Sequence, residues 1–167
     1  MNDERTLLLM RHAKSDYPPG VVDHDRPLAP RGRREAGLAG DWLRATVPVV
    51  DRVLCSTATR TRQTLACSKI DAPVQFIDRL YGASPGTVID EINGVANDTV
   101  GTLLVLGHEP TTSAVAILLS GEGTNAEALE RISIKFPTSG IAVLRVRGGW
   151  ELVEPGSAAL TDFHVPR

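Results

Sequence analysis

The sequence predicts an α/β fold: a three-layer sandwich with a mostly parallel central sheet and helices on both faces. Three observations predict it. Short apolar runs alternate with helix-length segments from residue 5 to residue 119. The first of these runs is continuous rather than alternating, as in strands buried on both faces. With 167 residues, 42% of them hydrophobic, the chain can build one sizeable core, so residues 1–167 are expected to form a single domain.

The elements follow in order. Thr6-Leu7-Leu8-Leu9-Met10 makes residues 5–11 the first strand, which stops at Arg11-His12. Residues 12–28, rich in Pro, Asp and Gly, predict a loop. Pro30 suits a helix's first turn, and Arg31 to Arg44 then places Ala36, Leu38, Ala39, Trp42 and Leu43 at helical spacing, with Val47-Pro48 as the stop. Arg52-Val53-Leu54-Cys55 is the second strand, and a helix capped by Thr57 or Thr59 follows it to Lys69. Val74-Gln75-Phe76-Ile77 is the third strand. Ser84-Pro85 is an N-cap and N1 pair that opens a helix to Val95. Thr102 to Leu106 is the fourth strand, Gly107-His108-Glu109-Pro110 a tight turn, and Pro110 to Leu119 a helix carrying Val115, Ile117, Leu118 and Leu119.

The last third changes character. Residues 121–130 are polar and acidic, with a helix around Ala126. Ile132-Ser133-Ile134-Lys135-Phe136 alternates like a half-exposed strand. Ile141 to Arg147 and Trp150 to Val153 predict a closing hairpin around Gly148-Gly149, and residues 156–167 a loose tail.

Composition excludes several classes. A net charge of −2 gives no global attraction to nucleic acid or to an anionic membrane. No apolar run approaches the roughly 18 residues of a membrane span. The N-terminal Met-Asn-Asp-Glu-Arg-Thr is acidic where a signal peptide is basic, so a cytoplasmic location is expected. Cys55 and Cys67 fit reduced core thiols better than a disulfide framework.

Parallel strands send their carboxyl ends to one edge, where ligands bind in open α/β sheets. Arg11-His12 follows the first strand, Ser56 to Arg60 the second, and His108 the fourth, so these groups are expected to meet. Arginine forks match phosphate oxygens and stay charged. Helices starting near Thr57 and Pro110 would aim amide N–H groups at the same edge. That is a pocket for a dianion, and a neutral imidazole inside it can attack phosphorus.

These residues resemble a known family, the histidine phosphatase superfamily, which includes the cofactor-dependent phosphoglycerate mutases. Arg11-His12-Ala13 is similar to its Arg-His-Gly signature, with Ala for Gly. Ser56-Thr57-Ala58-Thr59-Arg60-Thr61-Arg62-Gln63-Thr64 resembles its second arginine motif, and Gly107-His108-Glu109-Pro110 its second-histidine motif. The short chain, Asp25-Arg26-Pro27-Leu28 with Gly32, and Phe136-Pro137-Thr138-Ser139-Gly140 resemble the SixA-like branch, which acts on phosphohistidine. The resemblance implies a phosphoglycerate mutase-like fold and a hydrolase in which His12 is transiently phosphorylated. Arg11, Arg60 and His108 would cradle the phosphoryl group, and Arg26 would join them. It implies no metal and no cofactor, and a phosphorylated substrate, such as a phosphohistidine-bearing protein.

Many members carry a glutamate as general acid after the third strand, but here that region reads Asp78-Arg79-Leu80-Tyr81-Gly82-Ala83-Ser84. The next glutamate, Glu91, falls on a helix. Asp16, Asp78 and Glu109 are the candidates to replace it as general acid, none of them favoured. An imidazole leaving group needs an acid less than an alkoxide does, which favours a P–N substrate. Two alternatives stay open: a phosphomonoesterase acting on sugar phosphates or nucleotides, and a phosphoprotein-binding module without turnover. Cys55 is five positions before Arg60, whereas a cysteine-phosphatase loop needs six. Asp23-His24-Asp25 reads as a solvated loop rather than a metal site, Arg31, Arg33 and Arg34 as a solvated helix face, and His164 as incidental.

Overall fold

Leu7, Leu8, Leu9 and Met10 feed two different cores in turn. They lie on β1 (Glu4–Arg11), in a computed structural model that describes residues 3–96 and 98–167. Met1 and Asn2, part of the polar N-terminal stretch, and Asn97 lie outside the described residues. Leu7 and Leu9 join one buried cluster, and Leu8 and Met10 the other, as a period of two requires. β4 (Thr102–Gly107) divides likewise, with Leu103 and Val105 on one side and Leu104 and Leu106 on the other. On β2 (Arg52–Ser56), Leu54 faces the first cluster and Val53 and Cys55 the second. A strand buried on both faces is apolar throughout, which is why these runs do not alternate.

Helices close both faces. α1 (Pro30–Thr46) and α2 (Thr59–Ser68) cover the second cluster through Ala39, Leu43 and Leu65. α3 (Pro85–Asn93), α4 (Thr111–Leu119) and α5 (Ala126–Ile134) cover the first through residues such as Ile92, Val115, Leu119 and Ile132. Each fully buried aliphatic side chain contributes roughly 1.5–3 kcal/mol. With β3 (Val74–Ile77), β5 (Ile141–Arg147) and β6 (Ala158–His164), the strand order is β3-β2-β4-β1-β5-β6. The first four run parallel, and β5 alone runs the other way, pairing antiparallel with β1 on one side and β6 on the other, so the sheet is mixed and mostly parallel. β1 and β4 end in register, Arg11 opposite Gly107, so His12 and His108 leave the sheet side by side.

The last third departs from the sequence reading. Residues 132–134, expected in a strand, belong to α5. Asn125 caps that helix by accepting the Ala128 N–H at 3.0 Å, and Ala128 and Ile132 form its buried i, i+4 pair. The apparent alternation came from Ile134, which is 78% exposed. The hairpin around Gly148-Gly149 is also absent: Trp150–Leu152 is a single 3₁₀ turn. Trp150 is wholly buried and donates its indole N–H to the Val100 carbonyl at 2.8 Å, so this segment serves the core and not the sheet. β5 pairs instead with β6, the segment expected to be a tail. A bulge next to Val143–Leu144 leaves Thr161 unpaired and breaks the period of two that would have revealed β6. At α2, neither Thr57 nor Thr59 caps: Ala58 is the N-cap, with no side-chain bond. Ser84 does cap α3, accepting the Thr87 N–H at 3.2 Å.

Candidate active site

The carboxyl ends of β1, β2 and β4 bring His12, Ser56 and His108 together. The His12 backbone is fixed on both sides. Its N–H donates to the Gly107 carbonyl at 3.1 Å, and its carbonyl accepts the Ser139 N–H at 3.0 Å. Ser139 reaches it in the left-handed region, at φ 65°. α2 ties the next residue down: Thr64 Oγ1 accepts the Ala13 N–H at 2.9 Å while donating to the Arg60 carbonyl at 2.7 Å. The first turn of α1 closes over the same loop. At Gly32 a Cβ would sit 2.1 Å from the Lys14 carbonyl oxygen, so only glycine permits this approach.

His12 is 8% exposed, and its Nδ1 lies 2.7 Å from the Ala13 carbonyl oxygen. A carbonyl only accepts, so Nδ1 carries the hydrogen and Nε2 the lone pair. Burial, with smaller contributions from His108, Arg60 and Arg11, pushes the His12 pKa down to about 3. The ring is therefore a neutral base at neutral pH. The His108 ring stands 5.4 Å away, tilted by 55°. Its Nε2 meets Ser56 Oγ at 2.8 Å, and its Nδ1 is buried without a partner. Burial and the Arg60 charge lower its pKa to about 4.

Two arginines supply charge. Arg11 donates Nη1–H to the Phe136 carbonyl at 2.9 Å, which anchors it to the segment before β5. Arg60, 6% exposed on the first turn of α2, donates to the Asp23 carbonyl at 2.7 Å and to Asp23 Oδ2 at 3.0 Å. The Nε atoms of both are buried and unpartnered. Buried unpaired donors are costly, and an oxyanion would satisfy them. The amino ends of α2 and α4 face the same edge, where their dipoles favour an anion.

Arg26 reaches the group through Asp23 and not through a histidine. Its Nε donates to Asp23 Oδ1 at 3.0 Å, its Nη1 to Ser15 Oγ at 2.9 Å and the Asp16 carbonyl at 3.1 Å, and it stacks over Tyr17 at 4.1 Å. The sequence reading puts Asp23 in a solvated loop and gives Tyr81 no role, whereas here Asp23 joins Arg26 and Arg60 to Tyr81. The Tyr81 hydroxyl donates to Asp23 Oδ2 at 2.5 Å. The signal available was Asp23 three residues before Arg26, the spacing of a local ion pair.

The other sequence candidates have partners of their own. The Glu109 carboxylate is engaged at α4, accepting the Ser113 N–H at 2.6 Å and the Ser113 hydroxyl at 2.7 Å. Asp16 accepts the Tyr17 N–H at 2.9 Å, and Glu91 on α3 pairs with Arg79 at 2.8 Å. Asp78 opens a 3₁₀ turn after β3. His24 meets Thr57 Oγ1 at 3.0 Å. The Cys55 thiol is buried, which pushes its pKa up to about 12. His164 stacks on Trp42 at 4.3 Å. Among the described residues, no three metal-ligating side chains come together, and no helix is long and apolar enough to cross a membrane.

Comparison with known proteins agrees with this chemistry. The sequence profile of the histidine phosphatase superfamily (branch 1) matches residues 7–88. The Mycobacterium tuberculosis protein Rv1276c is 72% identical over 159 residues, 95% of this chain and 100% of its own. A SixA-type protein from Nakamurella multipartitia is 40% identical and superposes with a TM-score of 0.90, covering 98% of this chain and 96% of its own. A second, from Agrobacterium tumefaciens, is 30% identical with a TM-score of 0.80, over 97% and 99% of the two chains. Identity of this extent over nearly the whole of both chains makes the protein a phosphatase-type hydrolase that belongs to the histidine phosphatase superfamily.

Proposed function

We propose that the protein dephosphorylates phosphohistidine on another protein, through a covalent phosphohistidine formed on His12. One observation carries this reading: His12 is a neutral imidazole whose Nδ1–H is held by a carbonyl, which frees the Nε2 lone pair beside two arginines with unpaired donors. Nε2 attacks phosphorus and the Nε2–P bond forms. The P–N bond of the substrate breaks, and its electron pair returns to the departing ring nitrogen. Water then attacks phosphorus, the Nε2–P bond breaks, and inorganic phosphate leaves with the water's proton passing to solvent.

Arg11 and Arg60 neutralise the transferring oxygens, His108 donates from Nδ1 while Ser56 holds its Nε2, and Arg26 extends the positive edge. The arginines supply the charge that a metal supplies in other phosphatases.

The substrate class follows from the leaving group. Glu109 and Glu91 are engaged with Ser113 and Arg79, so neither is poised to protonate an alkoxide. A departing imidazole with its other nitrogen protonated needs no such acid. An Escherichia coli relative, 29% identical over 122 residues, is named phosphohistidine phosphatase SixA. The test is to compare a phosphohistidine peptide and phosphoramidate with glucose 6-phosphate. A kcat/KM advantage of at least about a hundredfold for the P–N compounds is expected, the scale of one missing general acid. Equal or better turnover of the sugar phosphate would overturn the reading.

A further inference from the structure

We propose that Asp23 is a positioning residue that sets the orientation of the Arg60 guanidinium, and that Tyr81 holds the Asp23 carboxylate in place. The inference rests on the reading of Arg60 as a phosphoryl ligand.

Arg60 meets Asp23 twice, Nη1 on the main-chain carbonyl at 2.7 Å and Nη2 on Oδ2 at 3.0 Å. Two bonds to one residue fix both the place and the plane of the guanidinium. They use one hydrogen of each terminal nitrogen and leave the buried Nε–H without a partner. Asp23 therefore takes one hydrogen of each terminal nitrogen, and the donors it leaves are those that a phosphoryl oxygen would take.

Asp23 is itself tied from three directions. Its Oδ1 accepts Arg26 Nε at 3.0 Å, its Oδ2 accepts the Tyr81 hydroxyl at 2.5 Å, and its carbonyl accepts the Arg26 N–H at 3.2 Å. One carboxylate thus links the loop after β1, the first turn of α2 and the segment after β3. That last segment is the one that lacks a glutamate, and what it delivers is Tyr81. The ring stands edge-on to His108 at 5.6 Å and to His24 at 4.8 Å.

The carboxylate cannot be the missing acid. The Tyr81 hydrogen bond, followed by those from Arg60 and Arg26, holds its carboxyl well below the usual carboxylate range, so it accepts and does not donate. Nor is the pair explained by stability alone. The Asp23 side chain is 54% exposed, where an ion pair contributes little, whereas that of Arg60 is 8% exposed. The contact matters for where a buried cation points.

The test measures inorganic phosphate binding by calorimetry and phosphoramidate turnover in five proteins. These are the wild type, Asp23→Asn, Tyr81→Phe, Arg60→Ala, and the double variant Asp23→Asn with Arg60→Ala. Asp23→Asn is expected to weaken phosphate binding and raise KM about tenfold, with kcat much less affected, as for one lost charge-assisted bond. Tyr81→Phe, which removes a single hydroxyl and keeps the fold, is expected to shift both in the same direction by less. In the Arg60→Ala background, Asp23→Asn is expected to add nothing, because its effect runs through Arg60. A merely structural Asp23 would add its penalty in either background. Unchanged or tighter phosphate binding in Asp23→Asn, or penalties that multiply in the double variant, would overturn the inference. If Arg60→Ala itself leaves phosphate binding unchanged, the reading of Arg60 as a ligand falls, and the inference with it.

Discussion

Acidification should destabilise the wild-type protein more than His12→Gln. His12 titrates near 6.5 when unfolded and is pushed down to about 3 in the folded protein, chiefly by burial. Between those values the unfolded chain binds a proton that the folded chain refuses. The contribution of the neutral ring to stability is therefore fully present above pH 6.5 and is lost as pH falls toward 3. At pH 5, about 1.5 pH units below the unfolded value, the loss from this one ring is about 2 kcal/mol at about 1.36 kcal/mol per unit. His108 is lowered as well, to about 4, but it is present in both proteins and cancels to first order. Urea unfolding at pH 7 and pH 5 reads the effect directly. The wild type should lose about 2 kcal/mol more than His12→Gln over this interval. A difference under about 0.5 kcal/mol, the usual scatter of additive sites, would refute the claim that His12 is held neutral by its surroundings.

Further outcomes follow from other contacts. Ser56→Ala leaves His108 Nε2 unpaired and should lower phosphoramidate kcat/KM about tenfold with unfolding little changed; wild-type activity would contradict the Ser56–His108 link. Gly32→Ala places a methyl against the Lys14 carbonyl and should destabilise the fold by about 2 kcal/mol or more, read by urea unfolding. Iodoacetamide at pH 8 should modify half-buried Cys67 before Cys55, whose thiol is buried and raised to about 12, and activity should survive. Rapid inactivation with the label on Cys55 would contradict that.

The parallel half of the fold was readable because buried strands leave continuous apolar runs and because each site motif sits at a strand end. His12, Arg11, Arg60 and His108 meet where strand order requires. The antiparallel edge was not readable. β6 is interrupted by Thr161-Asp162 at a bulge, and α5 carries an exposed Ile134 that imitates strand alternation. Trp150 has the residue type of a strand but fills the first core and bonds to Val100, a tertiary use that local pattern does not encode. At the site, Asp23 looked like one acid in a charged loop. Its contacts to Arg60 and Tyr81 span 37 and 58 residues, so spacing alone could not reveal them. Arg26 was found through the resemblance of Asp25-Arg26-Pro27-Leu28 to a family motif, and its connection to the site passes through that carboxylate.

The central claim is that His12 carries the phosphoryl group. Rapid quench of the enzyme with radiolabelled phosphoramidate under alkaline denaturing conditions, followed by peptide mapping, tests it most directly. The account predicts acid-labile label on the peptide containing His12, and neither label nor turnover in His12→Ala. Label on another residue, or normal turnover by His12→Ala, would contradict it.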